Sequence, residues 1–273
     1  MTSTTTTHVT RDGVSLVVRT WEADNPQGVV LLVHGISEHT SRYNHVAAAI
    51  TAAGLSMVGF DLRGHGESGG PRIDVEDFGS FVGDVGEMMA LVRTRQIPVV
   101  MYGHSLGGLI SLSYVVEGNN LPDALILSAP ALGAKLPPGL ETVGRLIAKV
   151  APKFRLPTSV KGSQLSSDPA VGEAYFADPL VVTKSTARMG VAVLDAMKAV
   201  RLRINDLDIP TYVFHGGDDT LIPTEVSEIL ESRPNVRRVV YPGMAHETHN
   251  EVDKERVIAD LVAAAKQFVA DAS

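Results

Sequence analysis

The sequence predicts an α/β fold: a mainly parallel central sheet with helices on both faces and a helical cap inserted into it. Three observations predict this. Short apolar runs alternate with helical patterns along most of the 273 residues, as in a parallel sheet covered on both sides. One of those runs leads into "YGHSLGGL" (102–109), where a strand meets a helix across a serine set among glycines. Finally, 78 residues separate Pro130 from Ile209, more than an ordinary helical crossover needs.

The elements follow in order. "GVSLVV" (13–18) reads as an early strand. "GVVLLVHG" (28–35) is continuously apolar, the mark of a strand buried on both faces. "SRYNHVAAAITAAG" (41–54) reads as a helix that stops at Gly54, and "LSMVGF" (55–60) as a strand. A helix is expected over 74–95, then the strand "IPVVMYG" (97–103) and a helix after the turn. "DALILSAP" (123–130), "IPTYVFHG" (209–216) and "VRRVVYPG" (236–243) are further strands. A last helix over 252–270 sets Val257, Ile258, Leu261, Val262 and Ala265 on one face. The expected organisation is therefore a core of residues 10–130 and 207–273, with a cap of 131–206 over the C-terminal edge of the sheet. That edge is where α/β folds place their sites.

Composition excludes several functions. Lys+Arg is 24 against 31 Asp+Glu, a net charge of −7 that repels nucleic acid. There is no cysteine, so disulfides and Cys-based metal sites are absent. The opening "MTSTTTTHVT" has neither an apolar core nor early basic residues, so it is not a secretory signal. Residues 1–9 read as a disordered polar lead-in. No stretch reaches the ~18 apolar residues of a membrane span. A cytoplasmic or peripherally membrane-associated protein is expected.

Gly103, Ser105 and Gly107 form G-x-S-x-G, a strained strand–turn–helix that presents a nucleophilic hydroxyl. Such a serine needs a general base, and the base needs an orienting carboxylate, in the chain order Ser, acid, His. Only His215, His246 and His249 follow Ser105. His215 lies in or at the end of a strand, whereas His246 sits in the loop after the last strand. For the acid, "HGGDDTLIP" puts Asp218 and Asp219 just past a strand end on the same sheet edge. Asp206 and Asp208 precede that strand and should face the other way.

The sequence resembles the α/β-hydrolase superfamily, and more closely its monoacylglycerol lipase and lysophospholipase branch. The matching pieces are "HGISEHTSRY" (34–43), "DLRGHGES" (61–68), "GHSLGG" (103–108), "HGGDDTLIP" (215–223) and "YPGMAHETHNE" (241–251), spread over nearly the whole chain. The resemblance implies a serine esterase that hydrolyses monoacylglycerol without cofactor or metal, through Ser105, His246 and Asp219. The family's G-x-x-D spacing from Gly216 picks Asp219 over Asp218. The resemblance also implies an oxyanion hole from the backbone N–H groups of Ile36 and Leu106. It places Glu38, Arg42 and His249 around the glycerol end of the substrate. Glu38 and Arg42, four apart at a helix start, are equally read as a surface ion pair. Alternative substrates are a lysophospholipid, a short-chain ester or a peptide, and a non-catalytic receptor is a remoter alternative. An oligomer is compatible with the sequence.

Other features are read as structural. "GHGESG" (64–69) spells G-x-G-x-x-G, but no helix opens on the glycines; we expect a turn with Asp61 and Arg63 paired. "HETH" (246–249) is one residue short of a zinc motif. His39, His45, His65 and His104 are assigned no chemistry. Residues 135–161 carry six basic side chains and the single acid Glu141. Within them Leu140, Val143, Ile147 and Val150 form an apolar stripe. That stripe either packs on its own domain or meets a lipid surface with its basic rim.

Overall fold

The computed structural model describes residues 3–118, 120–158 and 160–273. The elements are, in chain order, β1 (Thr4–Val9), β2 (Ser15–Trp21), β3 (Val29–Val33), α1 (Asn44–Ala52), β4 (Ser56–Phe60), α2 (Gly79–Arg93), β5 (Val99–His104), α3 (Leu106–Glu117) and β6 (Ala124–Ser128). There follow α4 (Leu140–Val150), β7 (Arg155–Pro157), α5 (Gly162–Leu165), α6 (Pro169–Ala177), β8 (Lys184–Thr186) and α7 (Ala187–Leu202). β9 (Thr211–Gly216), β10 (Val236–Tyr241) and α8 (Lys254–Ala272) complete the chain. Eight strands form one sheet in the order β1-β2-β4-β3-β5-β6-β9-β10. β2 runs antiparallel to both neighbours, and every other pairing is parallel. The expected fold class is the one observed.

Alternation of side chains builds a core on each face of the sheet. Val29, Leu31 and Val33 of β3 join Val99 and Met101 of β5 under α2, α3 and α7. Val30 and Leu32 join Val100 and Tyr102 on the opposite face, against α1 and α8. This is why "VVLLV" is apolar at every position: all five residues are fully buried. Val257, Ile258, Leu261 and Ala265 of α8 are buried as their spacing implies, while Val262 packs partly exposed at the edge of the same core.

Two expectations are corrected. Residues 74–78 are not helical, and α2 begins at Gly79. Asp74 is instead held by Arg188 at 2.7 Å and by the Thr186 hydroxyl at 2.6 Å, which anchors this loop to the start of α7. The lead-in is not disordered: Thr4–Val9 pairs in register with Ser15–Thr20 as an antiparallel edge strand. β-branched threonines suit an extended pleated surface, but their polarity hid the strand from a search for apolar runs.

The interval 131–206 is not uniform. α7 buries Met189, Ala196, Met197 and Val200 in the core on the side of α3. α4 buries no residue. Its Leu140, Val143, Leu146 and Val150 are exposed, as are the flanking Leu136 and Phe154. α4 lies along α7 and is tied to it by Arg145–Asp195 and Glu141–Lys198 ion pairs. Of the expected stripe, Leu140, Val143 and Val150 face solvent and Ile147 is half-buried, so the reading in which the stripe packs on its own domain holds only at Ile147.

The strand β1 makes a direct prediction. In hydrogen exchange, amides of Thr4–Val9 paired to β2 should exchange more slowly than those of a free chain. Because its side chains are mostly exposed, deleting residues 1–9 should remove ladder hydrogen bonds worth ~0.5–1.5 kcal/mol each, largely offset by released chain entropy. Melting should fall by only a few degrees. Complete exchange of this segment at the earliest time would contradict the strand.

Candidate active site

The turn after β5 is fixed by lack of space. A Cβ on Gly103 would lie 2.6 Å from the Ser111 hydroxyl, and one on Gly107 only 2.0 Å from the Val33 carbonyl oxygen. With glycine at both places α3 lies against β3 and β5, and the chain must reverse within one residue. Ser105 takes that reversal at φ 52° and ψ −116°, an unfavourable backbone for a residue with a side chain. Its N–H donates to the Ser128 carbonyl at 2.9 Å, and its carbonyl accepts from Ala131 N–H at 3.0 Å. Leu106 is the first residue of α3, so its N–H lies among the amides with no partner inside the helix.

The strand ends of β9 and β10 bring an acid to a histidine. Nδ1 of His246 donates to Asp219 Oδ2 at 2.6 Å. Nε2 of His215 donates to the same oxygen at 3.1 Å and to the Ile222 carbonyl at 2.9 Å. The other oxygen, Oδ1, accepts the Leu221 and Ile222 N–H groups at 2.8 and 2.9 Å. Burial alone would raise the Asp219 pKa, but His246, His215 and these N–H donors hold it well below the usual carboxylate range. For His246, burial opposes protonation, yet the Asp219 carboxylate outweighs it and the pKa is raised. Asp218 is exposed. Asp206 pairs with Arg203, and the Asp208 side chain is in solvent.

Ser105 and His246 line one cavity of about 180 Å³ with Gly35, Ile36, Glu38, His104, Val160, Leu165, Tyr175, Leu221, Ile222 and Glu247. Of the expected head-group residues, Glu38 lies on this wall and Arg42 and His249 lie behind it. Glu38 Oε1 accepts from Gly35 N–H at 2.6 Å and from the Tyr43 hydroxyl at 2.8 Å. Its Oε2 accepts from Arg42 at 2.7 Å. Arg42 also grips Glu247 with two bonds of 2.7 Å and stacks over Tyr175. So Glu38 and Arg42 do pair, but buried. His249 is fully buried and stacks on Tyr43, ring centroids 4.9 Å apart. Its carbonyl accepts from His45 Nε2 at 2.8 Å.

Sequence reading missed several wall residues. His104, given no chemistry, sets its ring 4.9 Å from that of His246 and meets the Ser128 hydroxyl at 3.1 Å. Burial and the neighbouring His246 push its pKa down to about 4, so it is neutral at pH 7. Glu247 adjoins His246 in sequence, and that adjacency was the available signal. Its long-range bond to Arg42 was not legible. Burial pushes the Glu247 pKa up, but Arg42 wins and holds it down at about 2. Asp61 and Arg63 do not pair. Asp61 accepts from Thr40 and from Glu67 N–H, whereas Arg63 binds Asp84 and Asp12.

A larger open groove of about 860 Å³ is lined by His8, Arg63, Asp84, Glu87 and Tyr114. Of its charged groups, His8 is paired with Glu87, and Arg63 with Asp84 and Asp12. It contains no nucleophile set beside a base, so the smaller cavity is the candidate site.

A strained serine after β5, over a mainly parallel sheet, defines an α/β hydrolase. Residues 24–253 match the Hydrolase_4 family, described as serine aminopeptidase, S33; the chain belongs to this family and is a carboxylic ester hydrolase. It is 36% identical over 258 residues to a monoacylglycerol lipase of Mycolicibacterium smegmatis, covering 91% of this chain and 92% of that one. It is 27% identical over 257 residues to the phospholipase YtpA of Bacillus subtilis, covering 92% and 99%. The crystal structure of a Paleococcus ferrophilus monoacylglycerol lipase superposes with a TM-score of 0.84 at 24% identity, covering 93% of this chain and 98% of that one.

Two outcomes follow from the acid and histidine. Asp219→Asn should lower kcat by roughly 10³–10⁴, while Asp218→Asn should stay within about twofold. kcat/KM should fall as pH drops through the His246 pKa. Because that pKa is raised, the acid limb should lie above the ordinary value of about 6.5. In Asp219→Asn burial acts with less opposition, so the limb should move to lower pH. An unmoved limb would contradict the pairing.

Proposed function

We propose that this enzyme hydrolyses monoacylglycerol to glycerol and fatty acid by an acyl-enzyme mechanism. The observation that carries this reading is the 2.6 Å contact from Asp219 to His246, with the imidazole and Ser105 facing one cavity. His246 takes the Ser105 proton as the hydroxyl attacks the ester carbonyl. It then returns a proton to the departing alcohol, and water releases the acid by the same steps in reverse order. Asp219 holds the tautomer and stabilises the imidazolium. The Ile36 and Leu106 N–H groups receive the oxyanion, each worth ~10²–10³ in rate.

The cavity wall supports this substrate class. Glu38 and Glu247 line it as hydrogen-bond acceptors, and hydroxyls of a glycerol head group are donors. Arg42 and His249 act from behind, Arg42 by holding both carboxylates and His249 by packing on Tyr43. The similarity to a named monoacylglycerol lipase supports this class. A lysophospholipid is the second reading, favoured by the likeness to a named phospholipase; short esters and peptides are the remaining alternatives. The test is hydrolysis of matched mono-, di- and triacylglycerols, a lysophospholipid and a peptide anilide. Monoacylglycerol should lead in kcat/KM, and Glu38→Ala should hurt monoolein more than p-nitrophenyl butyrate. A lead for the lysophospholipid, or equal loss on both esters, would overturn the assignment.

We further propose that α4 meets the lipid surface. Its Leu140, Val143, Leu146 and Val150 are solvent-exposed, and Lys149 and Lys153 lie beside them. Such a face suits shallow insertion with basic groups at anionic lipid. Among the described residues no helix is long and apolar enough to cross a membrane. Wild type should pellet with anionic vesicles at low salt and less so at high salt. A Lys149→Glu, Lys153→Glu variant should remain in the supernatant, and equal pelleting of both would sink the idea.

A further inference from the structure

Glu251 is a buried carboxylate that the mechanism above does not use. It is 1% exposed, and its carboxylate is held by neutral donors. Oε1 accepts Ala245 N–H at 2.6 Å and Ser167 N–H at 3.1 Å. Oε2 accepts Ser167 N–H at 3.0 Å and the hydroxyls of Ser166 and Ser167. Burying a carboxylate among neutral donors costs desolvation that simple packing does not require. The arrangement is better explained by what the donors belong to.

Ala245 immediately precedes His246. Ser166 and Ser167 immediately follow Leu165, a wall of the substrate cavity. The strap formed by residues 164–167 is laced to the site at three more points. The Gln164 carbonyl accepts His246 N–H at 3.3 Å, and the Leu165 carbonyl accepts Glu247 N–H at 2.7 Å. The Gln164 side chain donates to the Thr220 hydroxyl at 3.1 Å, next to Asp219. Among the groups joining strap and histidine loop, Glu251 alone offers both oxygens of one side chain to the two backbones.

We propose that Glu251 is a positioning residue for His246. Its carboxylate fixes the backbone just ahead of the imidazole and holds it in register with the strap that walls the cavity. The proposal rests on the Ser105–His246–Asp219 reading. Loosening this clamp lets the imidazole slacken from Asp219, while the other groups facing it, His104, Glu247 and Glu38, stay in place.

The test compares Glu251→Ala, Glu251→Gln and the double variant Ser166→Ala, Ser167→Ala. Each is assayed on p-nitrophenyl acetate across pH, with the folded fraction measured by circular dichroism. Glu251→Ala should lose about 10- to 100-fold in kcat per folded molecule, the scale of a small misplacement, with KM within about twofold. Its acid limb should move to lower pH, because the raising influence of Asp219 weakens. Glu251→Gln keeps one oxygen for Ala245 N–H and should recover most of the loss. The serine pair removes only the strap hydroxyls and should give a smaller loss with the same sign of limb shift.

Wild-type kcat and an unmoved limb in folded Glu251→Ala would overturn the proposal, whatever its melting temperature. If that variant does not fold, an unmoved kcat and limb in both of the others overturn it. Ser105→Ala is run alongside. Activity surviving there overturns the underlying triad, whereas an inactive Ser105→Ala with a normal Glu251→Ala overturns this proposal alone.

Discussion

The site depends on how closely α3 approaches the sheet. The Gly107 backbone lies where any side chain would strike the Val33 carbonyl. That contact leaves no room for a gradual turn between β5 and α3, so the whole reversal falls on Ser105 and its positive φ. The energy stored there is held by the two cores that clamp β3, β5 and α3. The Ser105 N–H donates to Ser128 of β6 and its carbonyl accepts from Ala131 N–H, which further fixes the residue. The same geometry sets the hydroxyl and the N-terminus of α3 at one mouth.

Around this point the fold spends several buried carboxylates, and each organises a different loop. Asp219 gathers His215, His246 and the turn at Leu221–Ile222. Glu38 holds the loop that begins at Gly35. Glu247 is joined to Glu38 through one guanidinium, Arg42, so the loop after β3 and the loop after β10 share an ion-pair bridge. Buried ion pairs are weak sources of stability, since desolvation cancels much of their attraction. Their value is geometric: they fix where loops from three strand ends stand relative to one another.

Much of this was legible because the relevant physics is local. "GVVLLVHG" announces a strand buried on both faces, and the spacing of Val257, Ile258, Leu261 and Ala265 announces α8. The glycines on either side of Ser105 carry their own explanation in the missing Cβ. Asp219 was separated from Asp218 only by family spacing, because two adjacent acids at a strand end look alike until their side chains are placed. What escaped notice was non-local or polar. β1 is a threonine strand with little burial. The bridge from Arg42 to Glu247 spans 205 positions. His104 looked like a bystander beside Ser105, yet it packs against His246. The stripe on α4 was visible, but whether it faced protein or solvent depended on where the helix sits.

The most direct measurement of the central claim is capture of the covalent intermediate. Wild type mixed rapidly with monoolein, quenched in acid within the first turnovers and digested should yield an oleoyl ester on the peptide that carries Ser105. Turnover with no acylated peptide, or with the oleoyl group on another residue, would contradict a Ser105 nucleophile and the reaction path built on it.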